Sequence, residues 1–194
     1  MGGKRFSGNE TGFTLIELLA VIFLSSIIMA AIYSLFISQH VAFSAQEQMS
    51  EMMQNLRVSM DQMSREIRLA GYKNSTSTFN GIATAQPTTI RILADLNQDG
   101  DTVDDDEDIT YSYDADTMQI WRNSPGLPIA DHIRNFTFLY TLADGTTTSN
   151  PANLANIRKV TISIMAETAK PDQRTGLPQT FSLTSAVMAR NLAL

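Results

Sequence analysis

Twenty consecutive residues, Leu18 to Ile37, carry no charge: LLAVIFLSSIIMAAIYSLFI. A helix rising about 1.5 Å per residue spans the hydrocarbon core of a bilayer with that many residues. Only Ser25, Ser26 and Ser34 interrupt the run. A buried soluble helix of this length would show a polar face. Lys4 and Arg5 precede the run. Such a basic flank predicts that the N-terminus stays on the cytoplasmic side while the remainder is exported.

An ordinary secretory signal has its cleavage site behind the apolar stretch, at small residues. Here the sharper cut signal lies ahead of it, at Gly12-Phe13. The chain combines a short basic leader, the Gly-Phe junction, Glu17 at the fifth position after the cut and the long apolar run. In these features the segment from Gly12 to Leu19 resembles the processing site of type IV pilins and type II secretion pseudopilins. The resemblance implies that prepilin peptidase cuts after Gly12, that Phe13 becomes the N-methylated first residue, and that the apolar segment is kept as anchor and filament core. An ionised carboxylate deep in lipid costs about 2.5–3.5 kcal/mol. Glu17 therefore either sits near the headgroups or pairs with a cation. The resemblance implies the second: an assembly role in which Glu17 neutralises the Phe13 amine of a neighbouring subunit. Desolvation makes such a pair a device for register more than for stability.

The chain stays helical in pattern after Ile37. No proline or glycine occurs from Phe13 through Ala70, and Gly71 is a natural stop. Met49, Met53, Leu56, Met60, Met63, Ile67 and Ala70 form a heptad stripe between polar residues. The stripe fits a coiled-coil seam, or a face docked on the protein's own sheet. Methionine adapts well to irregular surfaces, and a sheet that needs covering follows, so docking is the preferred expectation. Ser64 to Tyr72, the pattern Lys159 to Ile164 and the closing Ala189-Arg190-Asn191-Leu192 are similar to PilW-type minor pilins, which are related to the J-type pseudopilins. Many major pilins carry a proline in the apolar segment; its absence here fits a minor subunit.

Beyond Lys73 the periodicity changes to alternation. Strands are expected at Thr88–Leu93, Ile109–Tyr113, Met118–Arg122, Ile133–Leu142, Ile157–Glu167 and Phe181–Met188. Asp114 to Thr117 and Asp144-Gly145 read as turns, and residues 73–87 and 143–156 as loops. The expected fold class is α+β: a long N-terminal helix packed on an antiparallel sheet. The expected organisation is a leader over 1–12, a transmembrane and filament-core helix over 13–40, its amphipathic continuation over 41–72 and a β-rich extracytoplasmic head over 73–194.

The net charge of -6 is local in origin. Eight acids lie between Asp95 and Asp108 with no base among them. Without that stretch and the first twelve residues, 11 acids face 12 bases. Asp95, Asn97, Asp99, Gly100 and Asp101 follow the calcium-loop pattern D-x-[DN]-x-[DN]-G. Oxygens at alternate positions wrap a hard cation, and the glycine allows the turn. The pattern departs at its twelfth position, where Asp106 stands and Glu107 follows; either closes the loop. The alternatives are a solvated acidic loop and a structural Ca2+. Mutual repulsion among so many carboxylates favours the cation.

No basic cluster suits a nucleic acid. The chain has no cysteine and two histidines without ligand spacing. It has no phosphate-binding loop and no nucleophile elbow, so catalysis is not expected. Core packing is expected for Trp121. The leading expectation is a non-catalytic minor pilin of the bacterial inner membrane with its head in the periplasm, later part of a pilus. Its partners would be other minor pilins and the major pilin through the N-terminal helix, prepilin peptidase and the inner-membrane assembly platform. The alternatives are a J-type pseudopilin of type II secretion and, in another class, a membrane-anchored calcium-binding adhesin or sensor.

Overall fold

The structure is a computed structural model. It describes residues 12–74, 77–104, 106–123 and 128–193; the leader up to residue 11, with Lys4 and Arg5, and also Asp105 lie outside them. The chain divides into two compact units, Met1–Ser44 and Ala45–Leu194. One helix, α1, covers Leu15–Leu69, as the lack of proline and glycine predicts. In the first unit, no residue from 12 to 40 is buried. This part of α1 is long and apolar enough to cross a membrane.

In the second unit α1 turns one face inward. Met52, Leu56, Met60, Met63, Ile67 and, just beyond the helix, Ala70 are buried. They join one core with strand residues of the same unit. The docking expectation for this face is met, with one correction: Met52, not Met53, is the buried residue at that turn. The reason is the period. Met52 to Ala70 is eighteen residues over five turns, or 3.6 per turn, the period of a straight helix; a coiled-coil seam repeats at 3.5. Ser59 lies on the same face, and its hydroxyl donates to the Ile129 carbonyl at 2.6 Å. Gly71, with φ of 78°, takes the left-handed conformation that ends the helix.

The α+β expectation holds, with two antiparallel sheets in place of one. The first is a meander of β1 (Ile82–Ala85), β2 (Thr89–Leu93), β3 (Asp108–Asp114), β4 (Gln119–Arg122) and β5 (Pro128–Ala130) in sequential order. The second orders its strands β7 (Thr147–Thr148), β6 (Ile133–Leu142), β8 (Ile157–Glu167) and β9 (Thr180–Met188). Strands β1 and β7 thus lie within the stretches expected to be loops. Irregular pairing explains the phase of the long strands. Ile133 and Phe136 are three apart and both buried; a register shift between Ile133 and Asn135 absorbs the extra residue. A second shift, opposite Arg158, lets Ile157 and Val160 both point inward.

Phe136, Phe138 and Tyr140 are wholly buried on one face of β6, with the two phenylalanine rings edge to face at 4.7 Å. The phenol of Tyr140 donates to the Gln86 carbonyl at 2.9 Å, and the Phe138 amide to the Pro87 carbonyl at 2.7 Å. These bonds join the second sheet to the turn between β1 and β2. Trp121 departs from expectation. Ile120 takes the core position on β4 and Trp121 is half-buried on the other side.

Burial pushes the Tyr140 phenol well above its ordinary range. Burial, and then the hydrogen bond to Glu66 and its charge, do the same to Tyr111. An unfolded tyrosine ionises near pH 10, whereas folded Tyr111 and Tyr140 keep their protons beyond it. The stability linked to these groups is therefore complete below about pH 10 and falls as pH rises above it. Circular dichroism of residues 45–194 against pH is expected to show unfolding in that alkaline range, shifted upward by Tyr111→Phe.

Candidate functional site

The residues singled out from the sequence fall into two places. The first is the start of α1. Gly12, Phe13 and Thr14 precede the helix and are exposed. Glu17 Oε2 accepts from the Thr14 amide at 2.9 Å and from its hydroxyl at 2.8 Å. Thr14 Oγ1 accepts from the Glu17 amide at 3.3 Å. This is a capping box: two free donors of the first turn are satisfied reciprocally, and the carboxylate faces the positive end of the helix. The T-x-x-E signature of the box stands in the sequence at 14–17. The cap draws the carboxylate back toward the N-terminus, close to the Phe13–Thr14 peptide.

The second place is the connection between β2 and β3. The hairpin pairs Leu93 with Asp108, and the Ala94 amide donates to the Glu107 carbonyl at 2.9 Å. The residues between form a closed loop. Within it the side chains repeat every two residues. Asn97 Oδ1 accepts from the Asp99 amide, Asp99 Oδ1 from the Asp101 amide, and Asp101 Oδ1 from the Val103 amide, at 2.9, 3.1 and 3.0 Å. Gln98 and Gly100 take positive φ, 66° and 101°, which turns the chain tightly at the glycine.

Asp95, Asp99 and Glu107 come together: one carboxylate oxygen of each lies within 4.8 Å of the others. Asp95 is 0% exposed and Glu107 2%. Asp95 Oδ2 accepts from the Ser77 hydroxyl at 2.9 Å and the Gly100 amide at 3.2 Å. Glu107 Oε1 accepts from the amides of Leu96 and Asn97 at 2.7 and 3.2 Å. Their other oxygens, Asp95 Oδ1 and Glu107 Oε2, are buried and make no hydrogen bond. No ion pair among the described residues involves Asp95, Asp99 or Glu107. Two unit charges at such a separation repel by roughly 3–4 kcal/mol at an effective dielectric near 20.

The remaining residues are placed elsewhere. Asn97 donates through Nδ2 to Asp99 Oδ2 at 3.0 Å and to Asp104 Oδ2 at 2.7 Å, so it borders the cluster. Asp101 serves the Val103 turn. Asp106, with φ of 72°, points to Arg122 and forms an ion pair with it.

That ion pair belongs to a network that sequence reasoning missed. Arg122 Nε lies 3.2 Å from both oxygens of Glu66 on α1, and the Tyr111 hydroxyl donates to Glu66 Oε2. Gln62 Nε2 donates to Glu66 Oε1 at 3.3 Å. Burial works against the Arg122 charge more than any one contact supports it. The hydrogen bonds to Asp106 and Glu66 and the Glu66 charge together outweigh that, and its pKa is raised. The network ties α1 to β3, β4 and the acidic loop. Tyr111 and Arg122 stand 45 and 56 positions from Glu66, so no local pattern marks the long-range part of the network.

No curated protein and no solved structure matches the chain. The prokaryotic N-terminal methylation motif matches residues 8–33, which contain Gly12, Phe13 and Glu17. The family described as prepilin peptidase-dependent protein B matches residues 45–175, two thirds of the chain, beginning where the second compact unit begins. With a processing motif ahead of a helix able to cross a membrane, and this family match over the β-rich unit behind it, the chain belongs to the prepilin peptidase-dependent protein B family of type IV pilin-like proteins.

Proposed function

We propose that the chain is a minor pilin: a non-catalytic subunit that joins an initiating or tip complex of a type IV pilus. The single observation that carries this is the first half of α1. It is apolar from Leu18 to Ile37, free of proline and glycine, exposed from Leu15 to His40, and preceded by Gly12-Phe13. A surface of that kind is stable only in lipid or among similar helices.

In this reading residues 1–12 are the leader, 13–40 the anchor and filament core, 41–72 the part of the helix that carries the head, and 73–194 the head. Prepilin peptidase cuts after Gly12 and Phe13 is methylated. The subunit waits in the inner membrane with its head in the periplasm, then meets other minor pilins, the major pilin and the assembly platform through its N-terminal helix. Glu17 then has two partners to choose between, its own Thr14 cap and the Phe13 amine of a neighbour. Packing in the assembled bundle desolvates the amine and favours the second.

Mass spectrometry of the membrane-extracted protein tests the processing step. The expected N-terminus is methylated Phe13. An intact Met1 overturns the assignment and leaves a permanently anchored binding protein. Deletion of the gene distinguishes the machines: loss of surface pili supports the pilus subunit, while loss of protein secretion with pili intact supports a J-type pseudopilin.

A further inference from the structure

We propose that the β2–β3 connection is a Ca2+ site whose protein ligands include Asp95, Asp99 and Glu107, and that the ion fastens the segment after α1 to the hairpin. The acidic composition alone would not carry this. What carries it is the pair of unpartnered oxygens, Asp95 Oδ1 and Glu107 Oε2, on carboxylates 0% and 2% exposed. A buried acceptor without a donor is costly. Two of them in one cluster, on like charges that make no ion pair among the described residues, suit a positive ligand.

The donors identify the ion. All are oxygens, and neither histidine nor cysteine is among them, which selects a hard cation over a transition metal. An ion about 2.3–2.6 Å from each ligand fits three oxygens within 4.8 Å of one another with small side-chain adjustment. Ca2+ accepts irregular shells of about six to eight oxygens, whereas Mg2+ demands a tight octahedron and dehydrates reluctantly. Backbone carbonyls and water complete the shell. Asp99, the exposed member of the three, is the side by which the ion enters.

The loop therefore closes at Glu107. Asp106 is not a ligand, because its carboxylate is held by Arg122. The ion also acts beyond the loop. The Ser77 hydroxyl donates to Asp95, the Asp95 amide to the Tyr72 carbonyl at 2.7 Å, Gln98 Nε2 to the Tyr72 hydroxyl at 2.9 Å, and Asn74 Nδ2 to the Gln98 carbonyl at 3.0 Å. Fixing Asp95 and the turn at Gln98 therefore fixes the residues that leave the helix.

The test is calorimetric titration of the full chain in detergent with CaCl2 and with MgCl2 after removal of metal by a chelator, paired with melting curves. The expected result is one Ca2+ site, with a dissociation constant at or below about 1 mM, Mg2+ at least about tenfold weaker, and a higher Tm in Ca2+. Asp99→Asn, an exposed change that leaves the fold intact, is expected to weaken Ca2+ by about tenfold or more, since ligand charge sets affinity. Glu107→Gln is expected to abolish the Ca2+ shift while raising Tm in chelator, because it removes repulsion. Asp106→Asn is expected to leave the affinity within about twofold, since it removes no ligand charge. No heat and no Tm change up to about 10 mM Ca2+, well above the range of extracellular sites, would overturn the proposal. So would a Tm that responds to pH and not to Ca2+. An Asp106→Asn variant that loses Ca2+ while Glu107→Gln keeps it would overturn the ligand set.

Discussion

A chain carrying Gly12→Leu is expected to remain uncut, to keep its leader, and to be absent from sheared filaments. The head of the variant is expected to be as stable as that of the parent. Structure makes this a clean experiment. A Cβ at Gly12 meets nothing within 4 Å, so the substitution disturbs no packing. Any loss then belongs to recognition by the peptidase. Two measurements check it: the mass of the membrane-extracted chain, and the Tm of its head. Normal processing of the variant would contradict the proposed cut. Lost processing together with a lowered Tm would point to misfolding instead.

The second large effect concerns the face of α1 that covers the sheets. Leu56→Ala and Ile67→Ala are each expected to destabilise the head by about 3 kcal/mol, within the usual range of about 2–5 for such truncations. Leu56 is 1% exposed and Ile67 0%. Val58→Ala, at a position 60% exposed, is expected to change stability by less than about 0.5 kcal/mol. Urea unfolding of residues 45–194 checks all three, because the core lies within that unit. Equal effects at 56 and 58 would mean that the helix does not dock there.

Much of this arrangement was legible before the structure. The bounds of β6 and β8 are those read from alternation, because long half-buried strands write their faces into the sequence. Strand β1 was not legible: Ile82-Ala83-Thr84-Ala85 has little strand character of its own and takes its conformation from pairing with Ile90, Arg91 and Ile92. Strand β5 is three residues beginning with proline, too short for any period. The sequence pattern points to Met53 where Met52 is buried, because heptad and straight-helix periods differ by only a tenth of a residue per turn and separate only over several turns. In the acidic loop the spacing of two from Asn97 to Asp101 was readable. Which of Asp106 and Glu107 lies beside Asp95 and Asp99 was not, because it turns on where Arg122 lies, sixteen residues from Asp106.

The exposed half of α1 has one more consequence. Ser26 returns its hydroxyl to the Phe23 carbonyl at 2.7 Å, and interior backbone groups of the helix bond within it. Such a rod asks nothing specific of its surroundings. Lipid tails and the apolar flanks of other helices are nearly equivalent solvents for it. Passage from one to the other leaves the backbone hydrogen bonds of the helix intact and needs no refolding. Glu17, at the tip, registers the difference most, because it is the one charged side chain from Gly12 to Ile37. A segment built this way can be drawn out of a bilayer and returned to it, as a reversible exchange of neighbours.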